Sequence, residues 1–86
     1  MEDQQIRDRI EALEAEEKQL RAQEGAAAET GHDDLIAADA ERLAHIKVQL
    51  DQLWDLLRQR QAKRNAGEDP ESAQLRDQGT VEDYLG

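Results

Sequence analysis

The apolar residues of the first segment recur at the spacing of a coiled-coil seam. The seam consists of Ile6, Ile10, Leu13 and Leu20. Steps of four, three and seven positions place these side chains on one face of a helix. Glu17 occupies the seam position between the two leucines. The remaining positions are mainly Ala, Glu, Gln, Lys and Arg, which are good helix formers. The pattern therefore predicts an amphipathic helix.

A second and longer apolar stripe follows, made up of Ile36, Leu43, Ile46, Leu50, Leu53 and Leu57. Its steps are again three, four and seven positions, and flanking apolar residues, including the single tryptophan, widen it. Between the two stripes, Gly25 and Gly31 are predicted helix stops. Two amphipathic helices joined by a short connector favour an antiparallel hairpin.

The sequence thus predicts a single all-α domain, which is a coiled-coil-like, antiparallel two-helix hairpin with a short, partly helical C-terminal tail. The predicted elements are a helix over residues 3–24, a connector over 25–34, a helix over 35–65 and a tail over 66–86. In the tail, Asp69 and Pro70 form a typical helix start, which indicates a short helix over about 70–77. Thr80 begins a second capping motif.

The composition of the chain predicts self-association. Its 86 residues carry a net charge of −10 and no cysteine. A chain of this length buries a thin core and usually needs a disulfide, a metal or an oligomer for stability. Since no disulfide can form, we expect a homodimer that makes a helical bundle, or a complex with another helical protein.

The register of the hairpin can be estimated from the connector. If the turn centres near residue 29, the numbers of facing residues sum to about 59. This places Leu13 opposite Ile46 and Ile6 opposite Leu53. It also places Glu17 near Arg42, and such a polar pair in a seam would specify the register.

On this register the second helix is richest in apolar residues where it extends past the start of the first helix, so its end needs another cover. The tail could supply one through Leu75, Val81, Tyr84 and Leu85, and a second copy could supply another. We expect both, with Trp54 as an interface or tail anchor. The predicted interface residues are Leu50, Leu53, Trp54, Leu56, Leu57, Tyr84 and Leu85.

A basic cluster closes the second helix and consists of Arg58, Arg60, Lys63 and Arg64. Cations in the last turns of a helix interact favourably with its dipole. The acidic tail that follows also attracts them, so docking of the tail explains the cluster. An alternative is a nucleic-acid-associated or nucleic-acid-mimicking regulator, which would act through this cluster or the acidic faces. The acidic balance disfavours binding to nucleic acid.

The sequence offers little catalytic chemistry. Glu41 and His45 share a helical face, and His32 adjoins two aspartates, but a metal site needs three or four converging ligands. Nothing resembles a nucleophile with its base or a phosphate-binding loop. We expect no enzyme activity, cofactor or metal. The charged first segment and the absence of a long apolar run predict a cytoplasmic protein without membrane attachment.

The chain also resembles a known family. The most specific stretch is LDQLWDLLRQRQAKRNAGEDP, accompanied by RIEALEAEEKQLR and the terminal TVEDYL. These resemble the bacterial domain-of-unknown-function family 2630, and the similarity covers nearly the whole chain. The resemblance implies a small, helical protein with no assigned activity, cofactor or catalytic residue.

Overall fold

The computed structural model of the protein describes residues 2–31, 33–77, 79 and 81, without the side chains of 27–30 and 33–36. The elements are helix α1 (Asp3–Thr30), helix α2 (Asp33–Asn65) and a 3-10 helix (Pro70–Ser72). No strand occurs among the described residues. α1 and α2 pack against each other, which confirms the all-α prediction.

The first helix is longer than predicted. α1 continues through Gly25 to Thr30, so the prediction of a connector over 25–34 is wrong in most of its length. A Cβ at Gly25 would meet nothing within 4 Å, and the alanines that follow it are the strongest helix formers. The reversal occurs at Gly31, whose φ of 76° lies in the left-handed region that favours glycine.

The second helix ends where the sequence predicts. The Gly67 N–H donates to the Arg64 carbonyl at 3.1 Å, and the Glu68 N–H donates to the Lys63 carbonyl at 2.7 Å. This is the Schellman arrangement, which satisfies carbonyls that the last turn leaves unpaired. Gly67 has a φ of 73°, as this arrangement requires.

The core lies along the predicted seam between the two helices. Its buried members are Ile6, Ile10, Leu13, Ile46, Leu53, Leu56 and Leu57. Leu20 and Leu50 are partly buried against it. The burial of Leu56 and Leu57 within one chain shows that α1 and the tail already cover much of the end of α2.

The predicted register pair of Glu17 with Arg42 is wrong by one residue. Arg42 instead donates from Nε and one terminal nitrogen to the two carboxylate oxygens of Glu16, at 2.7 and 2.9 Å. Glu17 contacts Arg21 on its own helix at 3.7 Å. One residue turns a helix by about 100°, so Arg42 reaches a carboxylate beside the seam and not the one within it.

Over residues 70–77 the tail contains less helix than predicted. It forms there the three-residue 3-10 helix Pro70–Ser72, whose start is the predicted one. The Asp69 carboxylate accepts a hydrogen bond from the Glu71 N–H at 3.0 Å. Residues 73–77 then lie along α2 without helix. Gly79 and Val81 are helical again, and the Val81 N–H donates to the Asp77 carbonyl at 3.1 Å. The capping motif predicted at Thr80 begins outside the described residues.

Candidate interaction surface

The tail is fixed to α2 by a buried ion pair. The Arg76 guanidinium contacts both carboxylate oxygens of Asp55, with 2.8 Å between Nε and Oδ2. Asp55 is fully buried at 0% exposure. The side-chain amides of Gln52 and Gln59 donate to the tail carbonyls of Arg76 and Gln74 at 3.2 and 2.7 Å. Since these α2 residues are spaced by three and four, one helical face binds the tail.

A second ion-pair cluster joins both helices to the start of the tail. Arg60 is only 5% exposed, and its Nε donates to the Asp3 carboxylate at 2.5 Å. Its Nη1 lies 3.1 Å from Glu71 and 3.3 Å from the Pro70 carbonyl. Arg64 also contacts Asp3, at 2.7 Å. One buried guanidinium thus links the first turn of α1, the last turns of α2 and the 3-10 turn.

These ion pairs lower the pKa values of the carboxyl groups that take part in them. Hydrogen bonds from Arg64 and Arg60 lower the pKa of Asp3 to about 2. The hydrogen bond from Arg76 lowers the pKa of Asp55 against the opposing effect of burial. Arg42 lowers the pKa of Glu16 in the same way. The lowered pKa means that the ionised carboxylate is favoured in each case, as expected for a group in a structural ion pair.

The predicted basic cluster is largely occupied by contacts within the chain. Arg60 and Arg64 bind Asp3, and Lys63 lies 3.3 Å from Glu68. Arg58 lies 3.9 Å from Asp55, and its side chain is about half exposed. The contacts of Lys63 and Arg60 with tail residues match the prediction that the cluster docks the acidic tail.

Some of the predicted interface residues lie in the core and others lie on the surface. Leu53, Leu56 and Leu57 are buried within the chain, and Leu50 is partly buried. Trp54 is 46% exposed. The remaining two candidates, Tyr84 and Leu85, lie outside the described residues.

Trp54 lies beside α1 on a face that the described tail does not cover. It lines a shallow groove of about 140 Å³ with Arg7, Ile10, Glu11 and Glu14. Asp55, which binds the tail, is the next residue after Trp54. Since a helix turns by about 100° per residue, the row that binds the tail faces a different direction from the indole. The ring therefore contacts α1 and remains open to solvent.

A second groove lies on the tail side of the hairpin. It has a volume of about 230 Å³ and is lined by Arg9, Gln49, Gln52, Leu53 and Leu75. Leu75 is 55% exposed there. The Gln49 side-chain oxygen is buried and has no hydrogen-bond partner among the described residues. The two grooves place the two exposed large apolar residues of the described chain on different faces.

The described residues offer no obvious metal centre. His45 and Glu41 line an open depression on the surface of α2, and His32 lies outside the described residues. Among the residues that the structure describes, no three His, Asp or Glu side chains converge to hold a metal ion. Within the same residues, neither helix is apolar enough over a sufficient length to cross a membrane.

Sequence reasoning missed the role of Asp55 and Arg76. The contacts predicted for the tail beyond the basic cluster were apolar. Val81 is buried at 1% exposure, but charged and amide side chains of α2 also hold the tail. A signal was present in the sequence, because Gln52, Asp55 and Gln59 form a polar row immediately beside the apolar stripe. Only the structure shows that an extended segment lies along that row.

Together, these features define a class of small all-α protein in which a two-helix hairpin is clamped at its open end by its own tail. The chain belongs to the family described as "Protein of unknown function (DUF2630)", which matches residues 2–86. This confirms the resemblance seen in the sequence.

Curated relatives share most of their length with this chain. Uncharacterized proteins of Mycobacterium tuberculosis and Mycobacterium bovis are 44% identical to it over 78 residues, which is 90% of this chain and 83% of theirs. No solved structure shows significant similarity to the chain.

Proposed function

We propose that this protein is a noncatalytic, cytoplasmic interaction module that associates with a second copy of itself through its exposed apolar surface. The observation that carries the proposal is the 46% exposure of Trp54 beside a buried leucine cluster. Tryptophan is the residue type most enriched among those that dominate binding energy at protein interfaces. An exposed ring that already rests against α1 also needs little reordering to bind.

The electrostatics of the chain support a structural role for its charged groups. A general acid that works near neutral pH needs a carboxyl pKa raised by burial or by a neighbouring anion. Here the buried carboxylate of Asp55 has a lowered pKa, because Arg76 hydrogen-bonds to it. Asp3 and Glu16 are shifted in the same direction by their arginine partners. These ion pairs join separate elements of the fold, and this structural role accounts for their lowered pKa values.

The contacts of the basic cluster favour this proposal over the nucleic-acid alternative. Phosphate binding would require Arg60, Lys63 and Arg64 to exchange their carboxylate partners for phosphates. The net charge of −10 would oppose that exchange. A titration with nucleic acid at two salt concentrations tests this alternative, which predicts salt-sensitive binding at micromolar protein.

The proposal is tested by the solution mass of the intact chain over a dilution series, measured by light scattering. The expected result is about twice the chain mass of 9.8 kDa at high concentration, falling toward 9.8 kDa on dilution. A mass of one chain at every concentration up to the millimolar range would refute self-association.

A further inference from the structure

The surface around Trp54 carries charges that are complementary to themselves. On α1, Arg7 and Glu14 line the groove at which Trp54 lies, and both are exposed. On α2, Asp51 and Arg58 lie at spacings of three and four from Trp54, which places all three on one side of the helix. Arg58 is about half exposed there and also lies 3.9 Å from Asp55 of its own chain. Each helix therefore presents one positive and one negative charge on this surface, which we call the Trp54 face.

The two pairs of charges are centred near each other. Within each pair the residues are seven positions apart, which is about 10.5 Å along a helix. The pair on α1 is centred next to Ile10, and the pair on α2 is centred next to Trp54. Ile10 and Trp54 line the same groove. The midpoints of both pairs therefore lie within about one helical turn of each other along the hairpin.

We propose that the Trp54 face binds a second copy of the chain across a two-fold axis that crosses both helices at the level of Trp54. This inference rests on the proposed self-association and specifies its surface and symmetry. The axis reverses the helix direction, so α1 packs against α1 and α2 against α2. Arg7 then lies opposite Glu14 of the second copy, and Asp51 lies opposite its Arg58. The two indole rings meet at the centre.

A two-fold axis makes each of these contacts twice, which is why a self-complementary surface suits a dimer. The rings supply most of the affinity, since exposed ion pairs add little. The charges instead determine orientation, because a parallel arrangement would place like charges opposite each other. A surface centred on one large side chain per copy is smaller than a standard interface, so we expect a dimer that dissociates at roughly micromolar or higher concentrations.

The apolar part of the inference is tested with a matched pair of variants in the intact chain. Trp54→Ala should raise the dissociation constant about 100-fold, measured by sedimentation equilibrium. Leu75→Ala removes the other large apolar side chain that is exposed among the described residues, which lies on the tail side, and should leave the constant unchanged. Circular dichroism of both variants should show the helix content of the original chain.

The two-fold symmetry is tested by exchanging charges. Arg7→Glu should weaken the dimer about tenfold, since it creates two repulsive contacts with Glu14, and Glu14→Arg should do the same by facing Arg7. The double variant Arg7→Glu with Glu14→Arg should restore the original dissociation constant. The control is Arg9→Glu, which alters net charge as Arg7→Glu does but lies on the tail side and should have no effect.

The outcomes separate this inference from the proposal on which it rests. A chain that is monomeric at every concentration refutes both. A dimer that is indifferent to Trp54→Ala, or that the double charge exchange fails to restore, overturns the two-fold arrangement and leaves self-association in place. Weakening by Arg9→Glu equal to that by Arg7→Glu would also overturn it, because net repulsion would then explain both.

Discussion

The docking of the tail depends on Arg76, and its removal is a direct test of the clamp. Arg76→Ala would leave the Asp55 carboxylate, which is 0% exposed, without its bidentate partner. The remaining neighbours are the Gln59 amide at 3.0 Å and Arg58 at 3.9 Å. A buried carboxylate that has lost its cation must acquire a proton or reach water, and it can reach water only if the tail leaves α2.

The loss in the free energy of unfolding that we expect for each variant follows from the burial of Arg76 and Asp55. Removing one partner of a buried pair costs up to 3–5 kcal/mol, and the neighbours of Asp55 together with release of the tail reduce this to about 2–3 kcal/mol. For a chain of this size that loss lowers the melting temperature by roughly 10–20 °C. Asp55→Ala should cost less, about 1–2 kcal/mol, since the Arg76 side chain is already 36% exposed and can be hydrated.

The assay is urea unfolding of four proteins, namely the original chain, Arg76→Ala, Asp55→Ala and the double variant. We expect the double variant to be no less stable than Arg76→Ala alone, because removing the carboxylate removes the uncompensated charge. The tail of Arg76→Ala should also be cleaved by protease beyond Gly67 sooner than the helices. Additive losses in the double variant, or an unchanged midpoint for Arg76→Ala, would refute the clamp.

Three further predictions follow from the ion pairs and the glycines. The pKa of Asp3 is lowered from 3.8 to about 2 on folding, so its contribution to stability is complete above about pH 4 and lost as the pH falls toward 2. The stability difference between the original chain and Asp3→Asn should therefore shrink over that interval in acid titrations, and a constant difference would contradict the assignment. Glu16→Gln should lower the thermal unfolding midpoint more than Glu17→Gln, because Arg42 binds Glu16 across the hairpin; a larger effect of Glu17→Gln would favour the register predicted from the sequence. Gly25→Ala should stabilise the chain by about 0.5–1 kcal/mol because Gly25 is inside a helix with open space around it, whereas Gly67→Ala should destabilise it by about 1 kcal/mol because of its positive φ; denaturant midpoints showing the reverse order would place the helix ends elsewhere.

The features of the fold that depend on helical periodicity could be predicted from the sequence. The seam containing Ile6, Leu13 and Ile46 follows from spacing alone, because burial of one face requires that spacing. The end of α2 at Asn65 followed from Gly67, since a Schellman ending needs a residue that accepts positive φ. Both features arise from interactions among residues close in the sequence or from the repeat itself.

The features that depend on a balance between weak local preferences could not be predicted as well. Gly25 disfavours a helix by about 1 kcal/mol relative to alanine, which is too little to stop one when Ala26 and its neighbours favour it. The partner of Arg42 depends on an angle of about 100° between adjacent helix positions, and an estimate of the turn centre is not accurate enough to choose between Glu16 and Glu17.

The candidate surface was predicted only in part. Sequence analysis placed Trp54 at an interface or under the tail, and it grouped Leu56 and Leu57 with it. The structure separates them, because the end of α2 is covered by α1 and the tail while Trp54 remains exposed. The separation arises from the polar row that includes Asp55, which draws the tail to the side of α2 away from the indole.

The dependence of Trp54 fluorescence on protein concentration shows whether two copies meet at the Trp54 face, since this is the only tryptophan in the chain. In the single chain the indole is 46% exposed, and in the proposed dimer the second copy covers it. We expect the emission maximum to move to longer wavelength on dilution, over the same concentration range in which the solution mass falls from two chains to one. An emission maximum that stays constant through that range would show that the copies meet at another surface, against the proposed dimer.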